Sequence, residues 1–371
     1  MFEQNLEGKN VFVGLSGGVD SSVAAALLKK QGANVTGVYM KNWSGEDYSL
    51  NLNCPWEEEQ AIAESVCKAL LIPFRSYNFE KEYSTAVLSY FFSEYEKGRT
   101  PNPDILCNSE IKFKAFLAKA ESEGADFIAT GHYAGIRFDN SNNNSEPLLL
   151  NARDINKDQT YFLSGLTASQ LKKSLFPLAN LTKPEVRLLA KELNLPNFAR
   201  KDSQGICFVG NIDVQEFLRK HLKKNPGDII DIDTKKIVGK HEGLSFYTIG
   251  QRQGLKIGGI KKAYYVCKKD ILTNQLYVAM GNDNPALYAR QVKFSNLHWI
   301  NGTPSRLSNQ LNNSLLFASV RYRSPKQVGV LTFDSNNEGI FEFNENQRAI
   351  APGQSLVFYS EDVCLGRATI E

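Results

Sequence analysis

The sequence predicts an α/β protein whose N-terminal part is an open parallel sheet with helices on both faces. A small mixed or β central domain and a C-terminal antiparallel, barrel-like β domain are expected to follow. Three observations lead to this prediction. The 371 residues suffice for two or three domains, strand and helix patterns alternate over the first two hundred residues, and short β-rich segments dominate after about residue 210. The expected domains are 1–212, 213–283 and 284–371.

The alternation begins at residues 11–15, an apolar run with the length of a buried strand. Residues 22–31 continue with a helical pattern that ends at Gly32. Acidic residues open the next helical pattern, at 57–70, where they complement the helix dipole. The predicted elements are strand 11–15, helix 22–31, strand 35–40, helix 57–70, extended segment 73–79, helices 80–97 and 109–123, and strand 127–130. Ligands of such sheets bind beyond the carboxyl ends of the strands.

The second half of the chain reads as short strands separated by Gly, Asn, Asp and Pro. This spacing favours a small antiparallel module followed by a barrel or sandwich. The predicted strands are 263–267, 275–279, 315–322, 327–332, 339–343 and 355–359. Within the first half, residues 140–145 are rich in Asn and Ser and are expected to form the tip of a loop.

The composition is that of an ordinary globular protein, with 42% hydrophobic residues, 22% charged residues and a net charge of +3. Residues 215–270 hold 13 Lys/Arg against 6 Asp/Glu, which indicates either a polyanionic partner or a solvated lysine-rich surface. The first ten residues lack the pattern of a targeting segment, and the apolar runs are too short to span a bilayer. We therefore expect a cytoplasmic protein without membrane association. Its six cysteines do not have metal-ligand spacing.

The strongest local signal is GLSGGVDSS at residues 14–22, between a predicted strand and a predicted helix. Gly17 and Gly18 permit a tight turn that aims backbone N–H groups at an anion, and the helix that begins near Ser21 adds its dipole. The segment has neither the ending of a Walker A loop nor the glycine spacing of a dinucleotide fold. A Ser/Gly turn that merely caps a helix is the simpler alternative, but SGGxDS after an apolar strand favours a phosphate loop.

Two cysteines stand in segments of unusual composition. In GRTPNPDILCN (98–108), two prolines predict an extended backbone, with Asp104 and Cys107 just ahead of the helix expected at 109. A thiol beside a helix N-terminus tends towards thiolate, and Asp104 could position a substrate N–H or act as a base. Cys207 lies in KDSQGICFVG (201–210), where flanking glycines suggest an accessible turn. For either cysteine alone, a small buried hydrophobe is the simpler interpretation.

The phosphate loop resembles that of the PP-loop ATP-pyrophosphatases, which cleave ATP between the α and β phosphates and adenylylate a substrate oxygen. Together with the two cysteine segments, the chain resembles one branch of that group, the tRNA-specific 2-thiouridylases. The resemblance continues through ATGHY (129–133), KDQTYFL (157–163), YTIGQRQGL (247–255) and RYR (321–323), and so covers most of the chain. Arg200 stands where a lysine is usual in that family.

The resemblance implies ATP- and Mg²⁺-dependent 2-thiolation of the wobble uridine of tRNA, through adenylylation of the uracil O2 and release of pyrophosphate. Cys207 would carry a persulfide received from a sulfur-donor protein. Cys107 would attack that persulfide and free sulfide, or the two cysteines would finish as a disulfide. The implied ATP residues are Gly14, Leu15, Ser16, Gly17, Gly18, Val19, Asp20, Ser21, Met40 and Gly131, with Asp20 also near Mg²⁺. The implied target-base residues are Asn102, Pro103 and Asp104, and the implied tRNA residues are Lys157, Asp158, Gln159, Arg321 and Tyr322.

Two other functions stay open at this point. A PP-loop amide ligase acting on a small metabolite would need an ammonia source, such as a glutaminase domain, and the sequence has no candidate for one. A non-catalytic RNA-binding protein would leave the intact phosphate loop and the two cysteine segments unexplained.

Two weaker expectations concern single residues. A strand through 321–323 would put Arg321 and Arg323 on one face and Tyr322 on the other. His132 could lie near the adenosine or make only a structural hydrogen bond.

Overall fold

The computed structural model describes residues 5–44, 56–140, 145–201, 214–258, 262–302 and 312–371. The strands are β1 (Asn10–Gly14), β2 (Asn34–Lys41), β3 (Phe74–Asn78), β4 (Phe127–Ala129), β5 (Gly135–Asp139), β6 (Glu146–Leu150), β7 (Ser174–Leu175), β8 (Gly227–Asp231), β9 (Ile237–His241), β10 (Tyr264–Asp270), β11 (Gln275–Met280), β12 (Tyr288–Trp299), β13 (Asn312–Ser319), β14 (Gln327–Phe333), β15 (Gly339–Arg348), β16 (Ser355–Ser360) and β17 (Val363–Ile370).

The α-helices are α1 (Val19–Lys30), α2 (Trp56–Leu70), α3 (Glu80–Tyr83), α4 (Ser89–Glu96), α5 (Pro103–Leu106), α6 (Phe116–Ser122), α7 (Thr160–Leu163), α8 (Ala168–Lys172), α9 (Lys183–Glu192) and α10 (Val214–His221). π-Helical segments at Ser84–Leu88 and Cys107–Ala115 connect α3 to α4 and α5 to α6, and short 3₁₀ turns lie at Leu244–Phe246 and Pro285–Leu287. Across the described ranges, no helix is both long and apolar enough to cross a membrane.

Strand β1 is the centre of a five-stranded parallel sheet of order β3-β2-β1-β4-β7. Both faces of this strand are covered, because Phe12 packs into one apolar cluster while Val11 and Val13 pack into another. The predicted parallel sheet is therefore confirmed. Helix α1 begins at Val19, three residues before the predicted start, because Gly18 already provides an extended N-cap.

The two later parts of the chain are a mixed sheet and a closed barrel. The mixed sheet has the order β10-β11-β8-β9, with β11 parallel to β8 and the other pairs antiparallel. In the antiparallel sheet β12-β15-β14-β13-β16-β17, the pairing of β12 with β17 closes a barrel. Strand β6 pairs with β17, so the β5–β6 hairpin from the N-terminal half extends the barrel sheet. The predicted fold class is confirmed, and the domain boundaries stay predictions.

The helix that carries Cys107 starts at Pro103, six residues before the predicted start at 109. α5, the segment Cys107–Ala115 and α6 form one continuous helical stretch. Proline suits the first helical position because its φ is already helical and its missing N–H would have no partner there. Only the residues ahead of it are extended, with Asn102 at φ −115° and ψ 91°. The prediction that Cys107 precedes the helix is therefore wrong.

Residues 321–323 form a turn, so the predicted strand through them is also wrong. β13 ends at Ser319, and Arg323 has a φ of 61°, in the left-handed region. The backbone N–H of Ser324 donates to the carbonyl oxygen of Arg321 at 3.2 Å, which closes the turn. Strand alternation therefore does not decide where these side chains lie.

Residues 98–103, which we call the strap, contact both of the other domains. On the barrel side, the backbone N–H of Thr100 donates to the carbonyl oxygen of Pro352 at 2.8 Å. The side-chain amide of Gln354 donates to the carbonyl oxygens of Thr100 and Pro101 at 2.8 and 3.1 Å. The start of the Cys107 helix is thus tied to the barrel.

On the side of the mixed sheet, the Lys269 ammonium group donates to the carbonyl oxygen of Gly98 at 2.7 Å. The hydroxyl groups of Thr100 and Thr248 lie 3.2 Å apart, within hydrogen-bond distance. Burial lowers the pKa of Lys269 to about 7. The strap is thus held by an amine that gives up hydration to reach it.

The pKa of Lys269 makes stability depend on pH in a defined direction. An unfolded lysine titrates near about 10.4, so between about pH 7 and 10 the unfolded chain binds more protons than the folded one. Stability contributed by this group therefore rises with pH in that window. Relative to Lys269→Met, the unfolding free energy of the wild type should rise by about 1.4 kcal/mol per pH unit, as measured by urea unfolding.

Lys268→Met is the matched control for this measurement. The Lys268 side chain is 59% exposed and lies 3.5 Å from Asp270, so its removal should leave the slope of the wild type nearly unchanged. Parallel pH profiles for wild type and Lys269→Met would contradict a buried amine at this position.

Candidate nucleotide loop and cysteine helix

The loop after β1 lies where the strand order of the parallel sheet reverses. β2 and β3 extend the sheet on one side of β1 and β4 extends it on the other, and ligands of such sheets bind at the carboxyl ends of the strands beside this reversal. The backbone N–H of Leu15 donates to the carbonyl oxygen of Val38 at 2.7 Å, which keeps the start of the loop attached to β2. Ser16 is exposed at the rim. The loop therefore has the position expected of a phosphate site.

The carbonyl groups of the two loop glycines are bonded to side chains of the protein. The Gly17 oxygen accepts from the Asn197 amide at 2.9 Å and from the Arg200 guanidinium at 3.2 Å, and the Gly18 oxygen accepts from the Ser22 hydroxyl at 2.9 Å. Gly17 has a φ of 71°, and a Cβ there would lie 2.7 Å from the guanidinium. Because the carbonyls face these donors, the N–H groups at the start of α1 are left for an anion.

Asp20, in the first turn of α1, forms an ion pair with Lys183. The Lys183 nitrogen lies 2.7 and 2.8 Å from the two carboxylate oxygens, and the Tyr133 hydroxyl donates to one of them at 3.0 Å. Mg²⁺ is often held by one carboxylate together with substrate phosphates. The described residues include no group of three or more His, Cys, Asp or Glu that could hold an ion. Asp20 therefore fits Mg²⁺ only alongside phosphate oxygens and after its carboxylate leaves Lys183.

Gly131 follows β4 and packs directly against the first turn of α1. A Cβ at Gly131 would lie 2.6 Å from the backbone nitrogen of Ser21 and 2.8 Å from the carbonyl carbon of Asp20. Met40, near the end of β2, is buried, and its methyl group would lie 2.9 Å from a Cβ at Gly14. The predicted nucleotide residues from three neighbouring strands thus meet at one end of the sheet. Their contact with ATP stays a prediction.

His132 makes a structural hydrogen bond. Its Nδ1 lies 2.7 Å from the Thr130 hydroxyl, and its ring packs against the rings of Phe113 and Phe176. Burial holds the pKa of His132 well below its usual range. Of the two roles open from the sequence, the structure favours the structural one.

Cys107 is completely buried in the apolar core that the parallel sheet shares with the mixed sheet. Its neighbour Asn108 donates to the carbonyl oxygen of Phe162 at 3.0 Å, which fixes this turn of the helix. Asp104, one turn earlier, is partly exposed. The predicted thiol beside an open helix N-terminus is therefore not observed, because the carboxylate reaches solvent and the thiol does not.

Cys207 belongs to residues 202–213, which lie outside the described ranges, so the structure does not test its position. The residues just before it are described. Arg200, which clamps Gly17, also accepts a hydrogen bond on its carbonyl oxygen from Arg187 at 3.1 Å. Arg200 therefore lies against the nucleotide loop.

Two of the predicted tRNA residues have side chains engaged within the chain. Asp158 accepts from the Ala152 N–H at 2.8 Å and from the Thr160 hydroxyl at 2.6 Å, and burial raises the pKa of Asp158. The Gln159 side-chain oxygen accepts from the Tyr133 N–H at 3.0 Å. These contacts shape the loop ahead of α7. Contact of Lys157, Asp158 and Gln159 with RNA stays a prediction.

The other predicted tRNA residues lie close to that loop. The Tyr322 ring lies 4.3 Å from the ring of Phe162, centroid to centroid, and the Arg323 guanidinium lies 5.1 Å from the Tyr322 ring. Arg321 is exposed in the same turn. Segments 157–163 and 321–323 are therefore brought together, although more than 150 residues separate them in the sequence.

Sequence reasoning missed several residues that shape the nucleotide loop. They are Tyr133, Lys183, Asn197 and Arg200, of which Arg200 drew notice only as a departure from a usual lysine. One local signal was available at Lys183: Thr182 and Glu185 form a capping box, with a proline in the first helical turn. That signal predicts the start of α9, but it does not reveal the partner carboxylate across the loop.

The close packing of Gly131 generates a test. Gly131→Ala should lower the unfolding free energy by about 1–3 kcal/mol, because the new Cβ meets backbone atoms that cannot rotate away. Nucleotide affinity should fall as well, as measured by ATP titration of the folded variant. Gly258→Ala is the control, since a Cβ at Gly258 meets no atom within 4 Å. Equal stability and ATP affinity in both variants would contradict the contact.

Three known protein families together match most of the chain. The family described as tRNA methyl transferase HUP domain matches residues 9–211, the tRNA methyl transferase PRC-barrel domain matches 215–280, and the aminomethyltransferase beta-barrel domain matches 289–370. The tRNA-specific 2-thiouridylase MnmA of Legionella pneumophila (strain Lens) is 48% identical over 365 residues, which cover 97% of this chain and 98% of that protein.

A second relative and a solved structure are also similar to this chain. The tRNA-specific 2-thiouridylase MnmA 1 of Geobacillus kaustophilus (strain HTA426) is 47% identical over 368 residues, 99% of this chain and 96% of its own length. A solved 4-thiouridine synthetase–RNA complex with bound ATP is 21% identical and covers 55% of this chain and 46% of that chain. Its TM-score is 0.36.

Proposed function

The chain belongs to the tRNA-specific 2-thiouridylase family, and we propose that it uses ATP to replace the C2 oxygen of the wobble uridine of tRNA with sulfur. The observation that carries the proposal is the SGGVDS loop at the sheet reversal, in a chain that matches those relatives over nearly its whole length. A loop of this kind binds phosphates, and the activation of a uracil oxygen needs a phosphate leaving group.

The first step is adenylylation. The uracil O2 attacks the α-phosphorus of ATP, the bond between that phosphorus and the bridging oxygen to the β-phosphorus breaks, and pyrophosphate leaves. Loop N–H groups and the dipole of α1 would hold the pyrophosphate, and the Lys183 ammonium beside Asp20 would balance its charge. Mg²⁺, when bound with the phosphates, would neutralise developing charge, and the Asp20 carboxylate would help to hold it after leaving Lys183.

Asp104 is the group best placed to act on the target base. It lies in the first turn of α5 and is partly exposed, whereas the neighbouring thiol is enclosed. We infer that its carboxylate accepts a hydrogen bond from the uracil N3–H and takes the proton as O2 becomes bonded to phosphorus. Asn102 and Pro103 precede it at the same rim and would contact the base.

The second step transfers sulfur. The terminal sulfur of a Cys207 persulfide attacks C2, and AMP leaves with the former C2 oxygen. Attack by the Cys107 thiolate on the Cys207 sulfur then releases the C2 thiocarbonyl and leaves a disulfide, which an external dithiol must reduce. Alternatively, Cys107 first frees hydrosulfide, which attacks C2, and the same disulfide results. Because Cys107 is buried, either route needs the start of its helix to open when tRNA binds.

The partners follow from this chemistry. A persulfide donor protein would load Cys207, and tRNA would contact the joined surface of segments 157–163 and 321–323. The words "methyl transferase" in the matching family descriptions suggest a different reaction. Methyl transfer from a sulfonium donor would release no pyrophosphate and would leave the phosphate loop without a task. The amide-ligase interpretation is set aside, because the chain matches the thiouridylases along nearly its whole length.

The experiment incubates the protein with unmodified tRNA, ATP, Mg²⁺ and a small-molecule persulfide, and measures modified nucleosides by mass spectrometry together with pyrophosphate. We expect 2-thiouridine and pyrophosphate together, and only when tRNA is present. A methylated nucleoside would support the other reaction. Formation of neither product by a folded protein would contradict the proposed function.

Cys207→Ser should reduce thiolation to background in this assay, because the variant lacks the proposed carrier of the persulfide. Its tRNA affinity should stay within about twofold, since one thiol contributes little to an RNA interface dominated by phosphate contacts. Cys267→Ser is the control, since it removes a half-buried thiol from the mixed sheet. Full thiolation by Cys207→Ser would contradict the persulfide assignment.

A further inference from the structure

The strap is a short, stiff connection between α4 and the helix that carries Asp104 and Cys107. Pro101 and Pro103 each have a fixed φ, and the residues before them are restricted to extended conformations. A shift of the backbone that reaches Thr100 is therefore passed along the strap to the start of α5, because few rotations within residues 100–103 can absorb it.

One end of the strap is held by the barrel through charged groups. The Arg99 guanidinium donates to the Glu371 carboxylate at 2.8 and 3.1 Å and pairs with Glu94 at 2.9 Å. Glu94 is buried, and it also pairs with Lys97 at 2.8 Å. These contacts fix the residue after Gly98 to the barrel and to α4.

The mixed sheet supplies one charged contact to the strap, from Lys269. Its ammonium group reaches the Gly98 carbonyl oxygen from strand β10, at 2.7 Å. Gly98 has a φ of 71°, which turns the chain out of α4 and presents that carbonyl. Beside it, Ile271 would lie 3.5 Å from a Cβ at Gly98. The turn that begins the strap therefore rests on this edge of the mixed sheet.

The contact is costly as a means of holding domains together. Burial of an amine costs free energy, as the lowered pKa of Lys269 records. An apolar side chain at position 269 would avoid this desolvation cost, although it would leave the Gly98 carbonyl without this donor. It would also not fix the direction of that carbonyl.

We propose that Lys269 is a positioning residue for thiolation: through the Gly98 carbonyl and the stiff strap, it aligns Asp104 with the target uridine. The mixed sheet then acts on the chemical step. The inference rests on the proposed thiolation of tRNA, and its test reads the chemical step separately from binding and folding.

The experiment compares wild type, Lys269→Met, Lys269→Arg and the neighbouring control Lys268→Met in single-turnover thiolation at saturating tRNA and ATP. Lys269→Met should lower the rate by about tenfold to a hundredfold, the scale expected for a small misplacement of reacting groups. Its tRNA affinity should stay within about twofold, and its melting temperature at pH 7 should not fall. Lys269→Arg keeps a cationic donor and should recover part of the rate, and Lys268→Met should match wild type.

An unchanged rate for Lys269→Met would overturn the proposal, as would a loss of rate matched by an equal loss of tRNA affinity. If Lys269→Met does not fold, Thr248→Val serves instead, because it removes a second hydrogen bond to the strap, from a loop beside the mixed sheet to Thr100. A normal single-turnover rate in that variant would count against control of the strap by the mixed sheet. Absence of thiouridine with wild type would contradict the proposed function itself, and the inference with it.

Discussion

The contact on which the rest of the site depends is the approach of the β4 end to the first turn of α1. No side chain fits between Gly131 and the backbone of Ser21. This close approach holds α1 against the carboxyl ends of β1, β2 and β4, where the sheet order reverses. The loop between β1 and α1 is then closed by Asn197 and Arg200, which hold the Gly17 carbonyl. Because contacts within the protein hold the loop in shape, little ordering is left to oppose phosphate binding.

The same loop is tied to neighbouring elements by Arg200. Its guanidinium bonds both the loop carbonyl and, at 3.4 Å, the Glu59 carboxylate of α2. On the other side, Cys107 is enclosed in the core shared by the parallel and mixed sheets. A buried thiol is protected from stray oxidation, and it becomes reactive only after a local opening. The core around Cys107 therefore limits when its thiol can react.

Much of this fold was predictable because its signals are local. The apolar run of β1 and the SGGVDS loop after it predict a loop at the carboxyl end of a central strand. The structure has the loop at that position. The sequence does not decide where the Cys107 helix starts, because a proline such as Pro103 suits both an extended backbone and the first helical position. The turn at Arg323 is not predictable from the sequence, because nothing in a strand-like run indicates that an arginine adopts a left-handed φ. Partners such as Asp20 and Lys183 could not be predicted, since 163 residues separate them and only the folded chain brings them together.

The most direct test of the central claim follows the C2 oxygen of the wobble uridine. Transfer RNA carrying ¹⁸O at that position is thiolated in a single turnover with unlabelled ATP, and the AMP released is analysed by mass spectrometry. If ATP activates the uracil O2, each AMP formed with a 2-thiouridine carries the ¹⁸O label. Thiouridine formed together with unlabelled AMP would show that ATP is cleaved without activation of the uridine, and it would contradict this account of the site.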